Sequence, residues 1–347
     1  MQEQPLYSRI LGGLTNALIG DAMGAATEMM TPDEITRHFG GKVTTYYAPP
    51  AGTFAYGNQA GQLTDDSSQM LRMVDALIES NGPLKIDMVV RHLLLWASDP
   101  QMLERFAGPS TRRALAALKE GKSPLETGRP NRTQNDLRVS NGSAMKVSPA
   151  GLANPGNVDA AIADAITMST PTHMTNIAFA GAAAIAAAIA EAMTEHASLL
   201  SIADAAIYGA EVGDRTARDG GHVVPGASVA ARLRLAVKLS EVVEDFDQTC
   251  AKIGAVIGCG LPIVETVPAA IGVFLAARGN PLDTVIGCVN MGDDSDTVAT
   301  IAGALAGAHV GFEALDSELV RAINAANPDV DLPGKARALT QLALAKA

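Results

Sequence analysis

Residues 297–311, Thr297-Val298-Ala299-Thr300-Ile301-Ala302-Gly303-Ala304-Leu305-Ala306-Gly307-Ala308-His309-Val310-Gly311, carry the pattern that decides the fold class. Val298, Ile301, Ala302 and Leu305 recur at intervals of three and four, the period of one face of an α-helix. Gly303, Gly307 and Gly311 recur at four. Small residues at that spacing make a smooth ridge on which a second helix can lie closely, a principle documented best in membranes and used here by analogy. Outward from this stretch the same period continues through Met70, Leu71, Val74, Leu77 and Ile78. Helices are predicted over 7–21, 67–80, 86–98, 110–120, 158–168, 175–195, 199–213, 226–246, 247–258, 264–278, 282–290 and 297–310. No stretch alternates as a half-buried strand does, so the expectation is an all-α protein with tightly packed helices. Two irregular segments, 40–63 and 121–157, are rich in Gly, Pro, Asn and Thr, and long ordered loops of this kind often carry function. No repeat or domain boundary appears, and residues 1–347 are read as one domain.

Composition narrows the function classes. The 347 residues are 48% hydrophobic and 18% charged, with 33 Gly and 18 Pro, which describes a globular chain. Lys plus Arg number 26 against 37 Asp plus Glu, a formal charge of −11. A nucleic-acid binder needs a basic footprint, so nucleic acid is not an expected partner. The longest apolar run, 177–190, is too short and too rich in alanine to span a bilayer, and no membrane partner is expected. The opening stretch, 1–9, lacks the basic segment and apolar run of a secretory signal, which predicts a cytoplasmic protein. Cys250, Cys259 and Cys288 lie in apolar stretches without metal-type spacing and read as reduced core thiols.

Two acidic clusters stand out, Thr64-Asp65-Asp66 and Asp293-Asp294-Ser295-Asp296-Thr297, each just before a helical stripe. Helix capping alone explains one such cluster, because Asp, Ser and Thr accept hydrogen bonds from the free amides of a helix start. Two clusters brought together would repel one another unless a cation stood between them. All-oxygen ligands suit Mg²⁺, Mn²⁺ or Ca²⁺ and argue against zinc or copper. Asp21 shares the inward stripe of Ile10, Leu14 and Ala17, so it either caps an inner helix start or supports a charged site. Four of the thirteen aromatics, Tyr46, Tyr47, Phe54 and Tyr56, fall in the Pro/Gly loop before the first cluster. They either stack a base or sugar of a ligand or pin the loop to the core. The loop of Met145 and Lys146 offers backbone amides that suit a phosphate.

At these residues the chain resembles the ADP-ribosylglycohydrolases, a family that includes the J1 crystallins. Gly13-x-x-x-Ala17-x-x-Gly20-Asp21-Ala22-x-Gly24-x-x-x-Glu28 is similar to the family's first helix and turn. Gly61-Gln62-Leu63-Thr64-Asp65-Asp66-Ser67 resembles its first metal motif. Asn290-Met291-Gly292-Asp293-Asp294-Ser295-Asp296-Thr297 resembles the second, with Asp293 where glycine is common and Ser295 where threonine is common. Asn141-Gly142-Ser143-Ala144-Met145-Lys146-Val147-Ser148-Pro149 resembles the substrate loop, which more often has arginine at Lys146. Thr172-His173 and Val224-Pro225-Gly226-Ala227-Ser228 fit as well.

The resemblance implies a compact, orthogonal all-α bundle around two divalent cations, Mg²⁺ or Mn²⁺. It implies Thr64, Asp65, Asp66, Asp294, Asp296 and Thr297 as metal ligands, and Glu28 as the acidic residue near the ribose. Asp65 and Asp66 join Glu28 as candidate catalytic carboxylates, and Asp21, Tyr56, Asn141, Gly142, Ser143, Met145 and His173 are candidate substrate contacts. The implied substrate is a small-molecule or protein-linked ADP-ribosyl group, cleaved at C1″ of the ribose. In the branch that acts on ADP-ribosyl-arginine an aspartate precedes a Thr-x-x-Ala-Leu stretch. Aligning Thr111-Arg112-Arg113-Ala114-Leu115 there puts Phe106 at that aspartate, which favours another leaving group. A nucleosidase with the same metal pair is one alternative, and a catalytically silent ADP-ribose binder is another. The motifs leave open the leaving group, the choice of metal, the anomer and the oligomeric state.

Overall fold

The structure, a computed structural model, describes residues 2–242 and 245–346. Among these residues there is no strand; isolated bridges such as Ser140 with Pro262 are the nearest approach to one. Six helices position the site: α1 (Glu3–Gly24), α2 (Asp65–Ser80), α3 (Asn176–Ala192), α4 (Leu199–Asp219), α5 (Ile263–Ala276) and α6 (Ser295–Val310). The periodicity thus located the helices but shortened several, since α1 begins at Glu3 and α4 runs on to Asp219. The stretch expected as helix over 226–246 is helical as Val229–Val242, and the next helix is Phe246–Ile257; residues 243 and 244 lie outside the described residues. Segment 40–63 holds no helix, as expected. Segment 121–157 is less irregular than its composition suggested, because it contains Pro124–Thr127, a 3₁₀ turn at Asn141–Lys146 and Ser148–Leu152. Helices Pro32–Phe39, Ser317–Ala326 and Leu332–Lys346 are further additions.

One hydrophobic core runs from Leu6 to Ala343. At its centre lies α3, whose residues are all buried except Glu191. Alanine is what permits this: Gly209 and Gly213 of α4 sit where a methyl would stand 2.4 Å from Ala183 O and 2.3 Å from Phe179 O. The glycine ridge of α6 meets α1 in the same way. A methyl on Gly303 would stand 2.5 Å from Asn16 O, and one on Gly307 would stand 2.2 Å from Gly12 O. From the other side, Gly20 faces Ala299 O and Gly24 faces the Cα of Asp296. Gly311 continues this contact, since a methyl on Gly12 would stand 2.7 Å from its carbonyl carbon, and at φ 91° it ends α6. The three cysteines are buried free thiols, as expected. No helix among the described residues is long and apolar enough to cross a membrane.

Candidate active site

The starts of α2 and α6 converge on the turn that follows α1. Thr64 caps α2 and Asp65 and Asp66 occupy its first turn, while Asp294 is at the N-cap of α6 and Asp296 is in its first turn. Asp21, fully buried in α1, accepts hydrogen bonds from Thr64 N at 3.1 Å, Thr64 Oγ1 at 2.7 Å and Ser67 N at 3.1 Å. The choice left open for Asp21 is therefore answered in one arrangement. It caps a neighbouring helix, and in doing so it holds the first acidic motif in place.

Glu28 is placed by a short backbone ladder. Met29 N donates to Asp293 O at 2.7 Å and Asp293 N donates to Met30 O at 2.9 Å, while Thr27 Oγ1 donates to Val289 O at 2.8 Å. Asp293 adopts φ 55°, a left-handed conformation that asparagine, aspartate and above all glycine tolerate. The result is that carboxylate oxygens of Glu28, Asp294 and Asp296 lie within 4.8 Å of one another. The ladder thus sets Glu28 beside two carboxylates of the second acidic cluster.

These groups share a cavity of about 630 Å³, within the range of small-molecule sites. Its acidic wall is Glu28, Asp65, Asp66, Asp294, Asp296 and Thr297. Burial and mutual repulsion push Glu28 and Asp65 up to about 8 and raise Asp66, Asp294 and Asp296 as well. The ammonium of Lys146, fully buried, is the nearby cation for Asp65 and Asp66, and burial lowers it to about 8. Asp66 Oδ1 is buried without a hydrogen-bond partner. An orphaned carboxylate oxygen amid carboxylates is the arrangement a hard divalent cation satisfies, so the residues fit Mg²⁺ or Mn²⁺.

Of the predicted substrate contacts, Asn141, Gly142 and Met145 line the cavity, and Asn141 Nδ2 donates to Asp294 Oδ2. Thr64, Asp21, Ser143 and His173 stand behind the wall, all buried. Among the loop aromatics Phe54 lines the cavity and Tyr56, 62% exposed, does not, although its backbone carbonyl accepts from Arg105 at 2.9 Å. Tyr46 belongs to the pinned class, with its hydroxyl donating to Leu319 O at 3.2 Å. Phe106 lines the cavity too, with the Arg105 guanidinium 4.8 Å from its ring centroid.

Sequence reasoning missed a basic side of the cavity, lined by Arg105, Arg112, Arg113 and Arg138 with one carboxylate, Asp136, among them; Arg105 and Arg112 donate to backbone carbonyls, and Arg113 and Arg138 pair with Asp136. Arg113 Nε donates to Asp136 at 2.8 Å, and Arg138 Nε lies 2.9 Å from the same oxygen. The Arg112-Arg113 doublet close to Arg105 was the available signal, although Arg105 ends one helix (Pro100–Arg105) and the doublet opens the next (Pro109–Lys119), so no helical spacing joins them.

Over residues 2–346 the chain matches the ADP-ribosylglycohydrolase family. It is 34% identical over 322 residues to an Escherichia coli K12 protein called YegU and described as uncharacterized, covering 92% of each chain. It is 26% identical over 334 residues to the bovine ADP-ribosylhydrolase ARH3, covering 88% of this chain and 86% of that one. A solved structure described as an ADP-ribosylglycohydrolase-related protein complex superposes with a TM-score of 0.70 at 21% identity, covering 98% of this chain and 99% of the other. With its two acidic helix starts meeting in one cavity, the chain belongs to the ADP-ribosylglycohydrolase family and is a hydrolase of glycosyl bonds.

Proposed function

We propose that the protein releases ADP-ribose from an ADP-ribosylated substrate by metal-dependent hydrolysis at C1″ of the ribose. The observation that carries this reading is the division of one cavity into an acidic wall and a basic wall. A ribose diol with a divalent cation complements the first, and a diphosphate complements the second. Four arginines against the single carboxylate of Asp136 leave this side with an excess of positive charge that a neutral nucleoside would not use, which disfavours the nucleosidase.

Asp65, Asp66, Asp294, Asp296 and Thr297, which line the cavity, would hold two divalent cations, Mg²⁺ or Mn²⁺, with Thr64, buried at the start of α2 and hydrogen-bonded to Asp21, as the remaining expected ligand. Bound there, the cations would supply positive charge that orients the ribose diol and lowers the pKa of a water. A carboxylate among Glu28, Asp65, Asp66 and Asp294 takes the water proton as the oxygen approaches C1″. The same carboxylates, held rigid by Asp21, Asn141 and the Met29–Asp293 ladder, stabilise the oxocarbenium character that develops on the sugar. Phe106 and Phe54 present apolar surface within the cavity. That surface suits a leaving group other than a guanidinium, which would also meet the charge of Arg105, Arg112 and Arg113.

The deciding measurement is mass-spectrometric release with Mg²⁺ or Mn²⁺ and an EDTA control. ADP-ribosyl-arginine, ADP-ribosyl-serine, O-acetyl-ADP-ribose and nucleosides are offered side by side. Free ADP-ribose formed only with metal, and least from the arginine conjugate, is the expected result. Free base and ribose alone would establish the nucleosidase, and binding of ADP-ribose without any cleavage would establish a silent binder.

A further inference from the structure

Gln69 lies one helical turn after Asp65 in α2 and is fully buried. Its Nε2 donates to Asp65 Oδ2 at 3.1 Å, and its Oε1 has no hydrogen-bond partner among the described residues. An amide beside an ionised carboxylate has only its NH₂ group to offer, so Asp65 imposes this orientation. The backbone of the same turn is held from a neighbouring helix. Trp96, the last residue of Ile86–Trp96, donates from Nε1 to Ser68 Oγ at 2.9 Å, and Ser68 Oγ donates to Asp65 O at 3.4 Å. On a helix surface a Gln–Asp pair four residues apart is a minor stabilising contact. Here the pair runs from the core to the cavity wall, and it leaves a buried carbonyl oxygen unpaired, which costs stability. What the arrangement achieves is the fixing of Asp65.

We propose that Gln69 makes the site selective for a small octahedral cation over Ca²⁺, by holding Asp65 as a one-oxygen ligand. The inference rests on reading Asp65 as a metal ligand. With Oδ2 engaged by the amide, Oδ1 is the oxygen of Asp65 left to an ion. Ca²⁺ accepts a carboxylate through both oxygens and tolerates a pliable shell, whereas Mg²⁺ is smaller and demands near-ideal octahedral geometry. A carboxylate whose plane is set by Gln69, and whose backbone is tied through Ser68 to Trp96, suits the smaller ion and resists swinging to chelate the larger. Gln69 does not line the cavity and acts through Asp65. It is a positioning residue, and a hydrogen bond behind a ligand is a known means of tuning what that ligand binds.

The test is calorimetric titration of the metal-free full chain with Mg²⁺ and, separately, with Ca²⁺, together with the melting temperature of the metal-free protein. Gln69→Met keeps the length and volume of the side chain but cannot donate. It should weaken Mg²⁺ binding by roughly ten- to a hundredfold and leave Ca²⁺ binding little changed. The metal-free melting temperature should stay level or rise, because the unpaired amide oxygen is gone. Ser68→Ala loosens the same turn without altering Gln69 and should lower the ratio of Mg²⁺ to Ca²⁺ affinity by less; it decides the question if Gln69→Met does not fold. An unchanged ratio overturns the proposal alone, whether both affinities hold or both fall, and a lowered metal-free melting temperature beside it would make Gln69 a packing residue. A wild-type chain that binds neither Mg²⁺ nor Mn²⁺ overturns this proposal and the metal reading together.

Discussion

Asp294 occupies the N-cap of α6 yet makes no capping hydrogen bond, and α2 is capped by Thr64 and Asp21 without help from Asp65 or Asp66. These carboxylates are therefore surplus to the needs of the helices, and surplus buried charge persists where a ligand neutralises it. Asp296→Asn should fold normally but lower Mn²⁺ affinity and turnover by orders of magnitude, measured by titration and by ADP-ribose release. Unchanged turnover at saturating metal would remove Asp296 from the ligands. Glu28→Gln separates two roles that the 4.8 Å clustering allows. We expect a larger loss in kcat than in metal affinity; the opposite pattern would make Glu28 a ligand.

At the scale of elements, the α1–α6 crossing is what connects the fold to the site, because Gly24 packs on the backbone of Asp296. A methyl on Gly24 would stand 2.5 Å from Asp296 Cα, and neither backbone can retreat without moving a carboxylate. Gly24→Ala should cost about 1–3 kcal/mol, as overpacking does, and should weaken metal binding too. Gly108→Ala, where nothing lies within 4 Å, is the control expected to leave both unchanged. Melting with and without Mn²⁺ reads both effects. The ridge of Gly303 and Gly307 was legible because helix period and residue size are local properties of the chain. So were the acidic clusters, since each lies within a few consecutive residues. Ser317–Ala326 was not legible, because only Leu319 and Ile323 are buried and two positions make no stripe. Nor was the pairing of Ser140 with His173 legible: the two lie thirty-three residues apart, and only the folded chain brings them together. Tyr56 shows the reverse limit, since loop composition located the aromatic segment but the turn decided that Phe54 faces the cavity.

For the whole molecule, a cluster of buried carboxylates makes stability depend on pH with a sign that metal reverses. Glu28 and Asp65 hold their protons to about 8 in the folded protein but would lose them near 4 to 4.5 when unfolded. Between those values the folded state binds more protons, so stability falls as pH rises, by at most about 1.4 kcal/mol per pH unit for each such group. His173, His222 and His309 act the other way, because their depressed folded pKa values add stability as pH rises toward 6.5. Lys146, lowered to about 8, adds stability only above that value. From about pH 6.5 to 8 the carboxylates therefore act with least opposition, and the metal-free protein should melt at progressively lower temperature across this window. Mg²⁺ or Mn²⁺ binds the ionised carboxylates and stabilises the folded state in proportion to its affinity. The difference in melting temperature between metal-loaded and EDTA-treated protein should accordingly widen from pH 6.5 to 8, measured by scanning calorimetry. A metal-free melting temperature that rises over the same range would mean that these carboxylates ionise independently, and the single buried site would have to be abandoned.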